Sequence, residues 1–282
     1  MSVSPRVAVI IPCFNDGALV AAAVRSIAED EPVEVVVVDD GSTDPATAAA
    51  LAGLRRDGVR VVRQLNGGLS SARNTAVAHT DAPYVFPLDS DDLLVAGALA
   101  RLADVLDSST AAFAYGDYVM FGDQSGYHRA PPTFDRWSLT YRNELPVSAL
   151  IRRSALREAG GWHLRHGYED WDLWLRFAGL GYEAAYVSGG PIYRRRLHGS
   201  RMLSGCRRRH GELYACLSVR HAELFARRAQ LARESRPSML RRLVYPLVFG
   251  RRRLVPLRAE AFAARAAWRL SSMRGRVENH PG

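Results

Sequence analysis

The 282 residues include 38 arginines, no lysine and 29 acids, a formal net charge of +9, with 48% hydrophobic and 24% charged residues. Such a length suits one α/β domain with an appendage or two small domains, and the balance is that of a soluble globular chain, so a disordered, collagen-like or disulfide-rich protein is excluded for the bulk of it. Cys13, Cys206 and Cys216 follow no CxxC or Cys/His spacing, which removes a structural zinc site and an oxidised framework and makes a reducing cytoplasm the expected compartment.

The N-terminal apolar stretch is short, breaks at Pro12 and lacks a basic start followed by a small-residue cleavage site, so no signal peptide is expected. Arg6–Pro12 is a continuous β-branched run, as in a strand buried on both faces of a parallel sheet. Residues 16–29 carry a helical stripe of Leu19, Ala23, Val24 and Ile27. Residues 33–38 form a second buried strand that ends in the turn Asp39-Asp40-Gly41-Ser42-Thr43-Asp44. A helix over 46–56, a short strand over 59–63, a Gly67-Gly68 loop and a helix over 70–79 follow. A strand over 84–87 then closes in Asp89-Ser90-Asp91-Asp92. The pattern further predicts a helix over 93–106, a strand over 112–118 and a long loop over 122–147 next to a second-substrate cleft. This alternation argues for a mostly parallel, doubly wound sheet, whose ligands sit beyond the carboxyl ends of the strands. The polar clusters at Asn15, Asp39-Asp40 and Asp89–Asp92 fall at those ends.

Several ligands drop out. No GxGxxG follows the first strand, no P-loop can exist without a lysine, and the Asp spacing after Val38 fits no EF-hand. A receiver domain needs a lysine, and a HAD-like phosphatase needs an Asp where this chain has Pro12-Cys13-Phe14-Asn15. A nucleotide-sugar remains. Asp89-Ser90-Asp91 sets two hard oxygen donors on one loop, suited to Mg²⁺ or Mn²⁺ held against a diphosphate, although such acid pairs are also common as solvated loops.

Five ordered stretches, VAVIIPCFND, VVVVDDGSTD, NGGLSSARNTA, FPLDSDD and GGWHLRHGYEDWDLWLR, resemble the signatures of family-2 glycosyltransferases over about residues 6–200. The resemblance implies a glycosyltransferase-A fold, a Rossmann-like, mixed and mainly parallel sheet flanked by helices. It also implies an inverting, metal-dependent transfer from a nucleotide-diphosphate sugar to an acceptor hydroxyl in polysaccharide, glycolipid or other cell-envelope glycan synthesis. In that pattern Pro12, Phe14 and Asn15 wrap the nucleobase and Asp40 accepts a hydrogen bond from it. Gly68 allows close backbone approach, and Arg73 and Asn74 lie near base, ribose or phosphates, with a salt bridge from Arg73 to Asp40 or Asp89 as the structural alternative. Asp89 contacts ribose or reaches the metal through water, Asp91 ligates it, and His198 completes the metal shell or touches the diphosphate, with Arg201 beside it. Asp92 either joins them or caps a helix starting at Leu93. Asp170 is the expected base and Glu169 contacts the acceptor or orients the loop, unless both only stabilise a helix N-terminus. Trp174 is expected in the core, while Trp162 or Trp171 offers a sugar-stacking surface.

The resemblance ends near residue 204, dividing the chain into a catalytic domain over 1–204 and a basic α-helical extension over 205–282. Residues 1–193 hold 16 Arg against 24 acids, a net of −8, and residues 194–282 hold 22 Arg against 5, a net of +17. The tail reads as one long helix over 206–234 and two shorter ones over 237–249 and 256–273. Leu243–Phe249 is apolar and flanked by arginines, which suits peripheral contact with anionic lipid at the inner face of the plasma membrane, beside a lipid-linked acceptor. A helical subdomain packed on the sheet is the other reading. No nucleic-acid-reading motif accompanies the charge. A non-catalytic nucleotide-sugar or nucleic-acid binding module is the alternative function, and it would be favoured by the loss of Asp40, Asp91 or Asp170.

Overall fold

The computed structural model describes residues 4–165, 167–198 and 208–250. Along the chain the elements are β1 (Val7–Cys13), α1 (Leu19–Arg25), β2 (Val33–Asp39), α2 (Pro45–Arg56), β3 (Arg60–Arg63), α3 (Leu69–Ala78), β4 (Tyr84–Pro87), β5 (Leu93–Leu94) and α4 (Ala98–Asp107). Next come β6 (Phe113–Gly116), β7 (Tyr118–Gly122), β8 (Gly126–His128), α5 (Arg136–Leu139), β9 (Leu150–Arg152), α6 (Arg153–Glu158), α7 (Glu169–Gly179), β10 (Ala184–Val187) and β11 (Tyr193–Leu197). The described tail forms α8 (His210–Arg220), α9 (Ala222–Ala226), α10 (Arg228–Ser235) and α11 (Met239–Val248).

Seven strands make one sheet in the order β10-β6-β9-β4-β1-β2-β3, and four make a smaller one in the order β5-β11-β7-β8. In the large sheet only β9 runs antiparallel to its neighbours. Every residue of β1 is buried, as its unbroken apolar run requires of a central strand covered on both faces. The glycosyltransferase-A type architecture expected from the sequence is present: a mixed, mainly parallel sheet flanked by helices. After β3 the chain returns to the other side of β1, so β1 and β4 border the point where strand order reverses.

Pro12 helps to open that point. Without an N–H it cannot continue the ladder towards β4. Pairing of β1 with β4 ends at Ile10–Pro87, whereas pairing with β2 continues to Cys13–Asp39. The strands part there, and the loops carrying Asn15 and Asp89 leave from the gap.

Four local expectations are corrected. Leu93-Leu94 does not begin a helix but pairs antiparallel with Tyr193-Arg194, and the helix starts at Ala98. The strand expected over 112–118 is broken at Asp117, whose carboxylate accepts bonds from Ala130 N (2.9 Å), Tyr186 Oη (2.9 Å) and Tyr127 Oη (2.7 Å). The long loop expected over 122–147 contains β8 and α5. The single helix expected over 206–234 is, within the described residues, three helices broken at His221 and Arg227.

The described tail packs on the rest of the chain. Tyr214, Leu217, Leu224, Leu231 and Tyr245 share one apolar cluster with Phe113 and Trp174. Arg228 donates to Thr140 O, and Tyr245 Oη to Glu144 at 2.9 Å. The helix expected over 256–273, Arg201 and Cys206 lie outside the described residues.

Candidate functional site

Three loops meet beyond the strand ends. Asn15, at φ 57°, takes a left-handed conformation that Asn tolerates better than most residues. Its Oδ1 accepts from Thr43 N (2.8 Å) and Asp44 N (3.0 Å), tying the loop after β1 to that after β2. Beside it Phe14 is 48% exposed, an open ring at the edge of the gap, while Pro12 is buried inside β1. Asp39 accepts from Ser42 N at 2.8 Å and closes the turn.

Asp40 is buried, and its two oxygens accept from Gly67 N and Gly68 N, each at 2.8 Å, with Gln64 Nε2 also on Oδ1 at 2.7 Å. It therefore fixes the glycine loop that starts α3. Gly68 sits at φ 85°, and an added Cβ there would lie 3.1 Å from Arg165 Cγ, so only glycine fits. Asn74 spends its amide on Trp162, donating to its carbonyl at 2.7 Å and accepting from its N–H at 2.9 Å.

Arg73 is 1% exposed and lies over the Trp162 ring. Its Nη2 donates to Asp89 Oδ1 at 2.8 Å and its Nη1 lies 3.6 Å from Glu169 Oε1. Of the two pairings expected for Arg73, the one to Asp89 is present. Its Nε and Nη1 find no hydrogen-bond acceptor among the described residues, although Nη1 keeps its ionic contact with Glu169.

Asp89, Asp91 and Asp92 can each offer an oxygen within 4.8 Å of the others. Asp92 caps no helix; it is buried and accepts from Arg196 N of β11 at 2.7 Å. His198 Nε2 stands 3.0 Å from Asp91 Oδ2, so β11 delivers the histidine to the acidic loop. Ser90 Oγ donates to Asp16, whose carboxyl is pushed up by burial and by Asp91 and Asp89. Burial and the two neighbouring aspartates likewise push Asp92 well above the ordinary carboxylate range. Three crowded carboxylates with hard oxygen atoms are a donor set that suits Mg²⁺ or Mn²⁺.

Across the gap, Tyr168 at φ 61° turns the chain into α7 and presents Glu169 and Asp170 at its first turn. Asp170 is half-buried, and its Oδ2 accepts from Asn143 Nδ2 at 3.0 Å. Its carboxyl is raised by burial. Glu169, 7% exposed, is pushed up to about 7 by burial and by Asp170, against the pull of Arg73. Asp170 borders a cleft of about 560 Å³ between β7, β8, β11 and α11. Two links hold α7 from behind. Asp172, with no exposed surface, takes His221 Nε2 at 2.9 Å, Arg220 Nε at 3.1 Å and Arg176 at 3.2 Å. Trp171 Nε1 donates to Leu139 O at 2.8 Å. Trp162 and Trp171 are each 3% exposed, so neither presents the open ring face expected for sugar stacking. Trp174 is in the core, stacked on Phe113.

Asn143, Asp16 and Asp172 escaped the sequence reading. Asn143 lies in the stretch expected as a long loop, with no motif around it, and Asp172 lies in a quoted stretch without a role attached to it.

The sequence model of Glycosyl transferase family 2 matches residues 8–160. The succinoglycan biosynthesis protein ExoU of Rhizobium meliloti is 39% identical over 125 residues, 39% of this chain and 36% of the relative. Among solved structures, S. aureus TarS 1–349 in complex with UDP-GlcNAc superposes with a TM-score of 0.60 at 22% identity, covering 71% of this chain and 60% of that one. The mannosyltransferase PcManGT from Pyrobaculum calidifontis, in complex with GDP-Man and Mn²⁺, gives 0.57 at 20% identity, covering 94% and 80%. Both likenesses are likenesses of fold. The chain spans about half the length, or less, of the first curated relatives it matches.

Proposed function

This chain belongs to glycosyl transferase family 2, and from that premise we propose that it transfers a sugar, with inversion, from a nucleotide-diphosphate sugar to an acceptor hydroxyl in polysaccharide or other cell-envelope glycan synthesis. The observation that carries the reading is Arg73, which joins the acidic trio at the end of β4 to the acidic pair at the start of α7. Donor-holding and proton-accepting groups thus face one gap.

The donor's base lies against Phe14, within the loops that Asn15, Asp40 and Gly68 hold. Asn74 and Arg73 shape the floor, Arg73 holding Asp89 and Glu169 in place. Asp89 and Asp91, with Asp92 and His198, would hold a Mg²⁺ or Mn²⁺ ion, which when bound offsets charge on the leaving diphosphate. Asp170 accepts the proton of the attacking hydroxyl from the opposite side. Its carboxyl, raised by burial, is a stronger base than that of an exposed aspartate. Asn143 orients it, and Glu169, partly protonated near pH 7, limits the like charge beside it.

Relatives and neighbours point the same way: ExoU is named a succinoglycan biosynthesis protein, and TarS and PcManGT are described with nucleotide-sugars, the latter with Mn²⁺. We extend the reading to the cytoplasmic membrane surface. Along α11, Met239, Leu240, Leu243 and Leu247 are exposed in helical register, with Arg242 beside them, a pattern suited to an anionic lipid surface. No helix among the described residues is long and apolar enough to cross a membrane. The test is thermal stability against UDP-, dTDP-, GDP- and ADP-sugars with and without Mn²⁺. A metal-dependent rise with one nucleotide supports the reading, and no rise with any donor removes it.

A further inference from the structure

We infer that the acceptor carries an oxyanion, a phosphate or a carboxylate, close to the hydroxyl that receives the sugar, and that Arg142 and Arg129 read it. The inference rests on the transferase reading for the role of Asp170, but the anion site stands on its own observations. The cleft of about 560 Å³ beside Asp170 is lined by Arg129, Arg142, Arg195 and Arg241, against only two carboxylates, Asp170 and Glu144. Glu144 is already committed: Arg241 Nη2 lies 3.2 Å away, and Tyr245 Oη donates to it. Asp170 is held by Asn143.

Arg129, Arg142 and Arg195 have no carboxylate within 4.0 Å among the described residues. Arg129 and Arg142 line one concave surface in a part of the chain whose net charge over residues 1–193 is −8, and Arg195 adds a third guanidinium group from β11. Arg6 and Arg136 elsewhere in that part are paired with acids, whereas the exposed Arg25, Arg55, Arg56 and Arg157 are not, so what sets Arg129 and Arg142 apart is that they line one cleft beside Asp170. His128, stacked on Tyr118 in the same wall, is held below its ordinary value by burial and then by Arg142 and Arg195, as a positive field requires. A neutral sugar would leave this field unanswered. A phosphate or carboxylate answers it, because the guanidinium fork matches two oxygens at once.

Arg195 also faces Asp92 and Asp89, so it borders the donor side. Arg142 and Arg129 show no contact with that loop. Arg142 instead lies over the Phe249 ring and next in sequence to Asn143. A group gripped by Arg142 therefore sets its hydroxyl near the carboxylate that Asn143 orients.

The test is calorimetric titration of the full chain, loaded with its donor nucleotide and Mn²⁺, with glycerol 1-phosphate, glucuronate and methyl glucoside. One of the two anions should bind at least about tenfold more tightly than the neutral glycoside, and which one it is separates phosphate from uronate acceptors. Arg142→Gln and Arg129→Gln should each reduce that preference by roughly tenfold, while leaving the Mn²⁺-dependent nucleotide shift unchanged. Equal binding of charged and neutral probes, no binding of either anion, or a preference that survives both substitutions overturns the inference. No anion preference in the unsubstituted chain, with nucleotide binding intact, removes only the anion site. Failure of every nucleotide to bind, with anion preference intact in the unloaded chain, removes the transferase reading instead.

Discussion

Asn143 Nδ2 donates to Asp170 Oδ2 at 3.0 Å, joining the stretch before β9 to the first turn of α7. A donor on a carboxylate favours its ionised form. If Asp170 is the base, transfer falls as pH drops through its pKa. Asn143→Ala removes the donor, so the pKa rises and the acidic limb of the kcat–pH profile moves to higher pH. An unmoved limb would assign the titration to another group.

Asp170→Asn keeps the shape and the Asn143 contact but cannot take a proton. The expected loss in kcat is about a hundred- to ten-thousandfold. Nucleotide binding, followed by calorimetry, should be retained because Asp40, Arg73 and the acidic loop are untouched.

The trio Asp89, Asp91 and Asp92 crowds three carboxylates within 4.8 Å. A divalent ion that binds the folded chain alone should raise its stability by about 2.7 kcal/mol at a hundred times the dissociation constant. Asp91→Ala should abolish that rise in a thermal melt with Mn²⁺. A full rise in the variant would move the metal elsewhere.

Glu169 is raised to about 7 by burial and by Asp170. A carboxyl whose folded pKa exceeds its unfolded one near 4.3 favours the folded state when protonated, and that contribution is lost as pH rises through the folded value. Glu169→Gln should therefore match the parent at pH 4 and gain melting temperature over it at pH 8. Equal melts at both pH values would contradict the assignment.

Asp172 is buried with His221, Arg220 and Arg176 around it. Removing one member of such a cluster strands the others, at a cost of about 3–5 kcal/mol. Asp172→Ala should lower the melting temperature and, because it frees α7 from the tail, expose α8 and α9 to early proteolysis. Intact α8 and α9 in a limited digest would show that other contacts hold them.

The ends of β1, β2 and β4 were legible because apolar runs, β-branched in β1 and β2, stop at polar clusters, and a parallel sheet sends all such ends to one side. What stayed hidden was set by partners far along the chain. Leu93-Leu94 has helical periodicity, and only pairing with Tyr193-Arg194 makes it a strand. The break at Asp117 follows from hydroxyl and amide donors supplied by Tyr127, Tyr186 and Ala130. Helices α8 to α10 lack any Gly or Pro at their junctions, and the break at His221 coincides with its bond to Asp172. Asp89, Asp91 and Asp170 were nameable from their motifs. The bridging geometry of Arg73 and the approach of Asn143 have no spacing signal.

The docking of α11 beside Asp170 bears on how this chain could diversify. Arg241 and Tyr245, which wall the cleft beside Asp170, lie more than 80 residues beyond the stretch matched by the family model. The cleft beside Asp170 is thus walled jointly by residues inside that stretch, Arg129 and Arg142 among them, and by residues far downstream of it. On the proposed reading, exchange of the downstream part would rebuild one wall of the cleft while leaving Asp40, Arg73 and the acidic loop in place, and trimming the chain to the matched stretch would remove Asp170 itself.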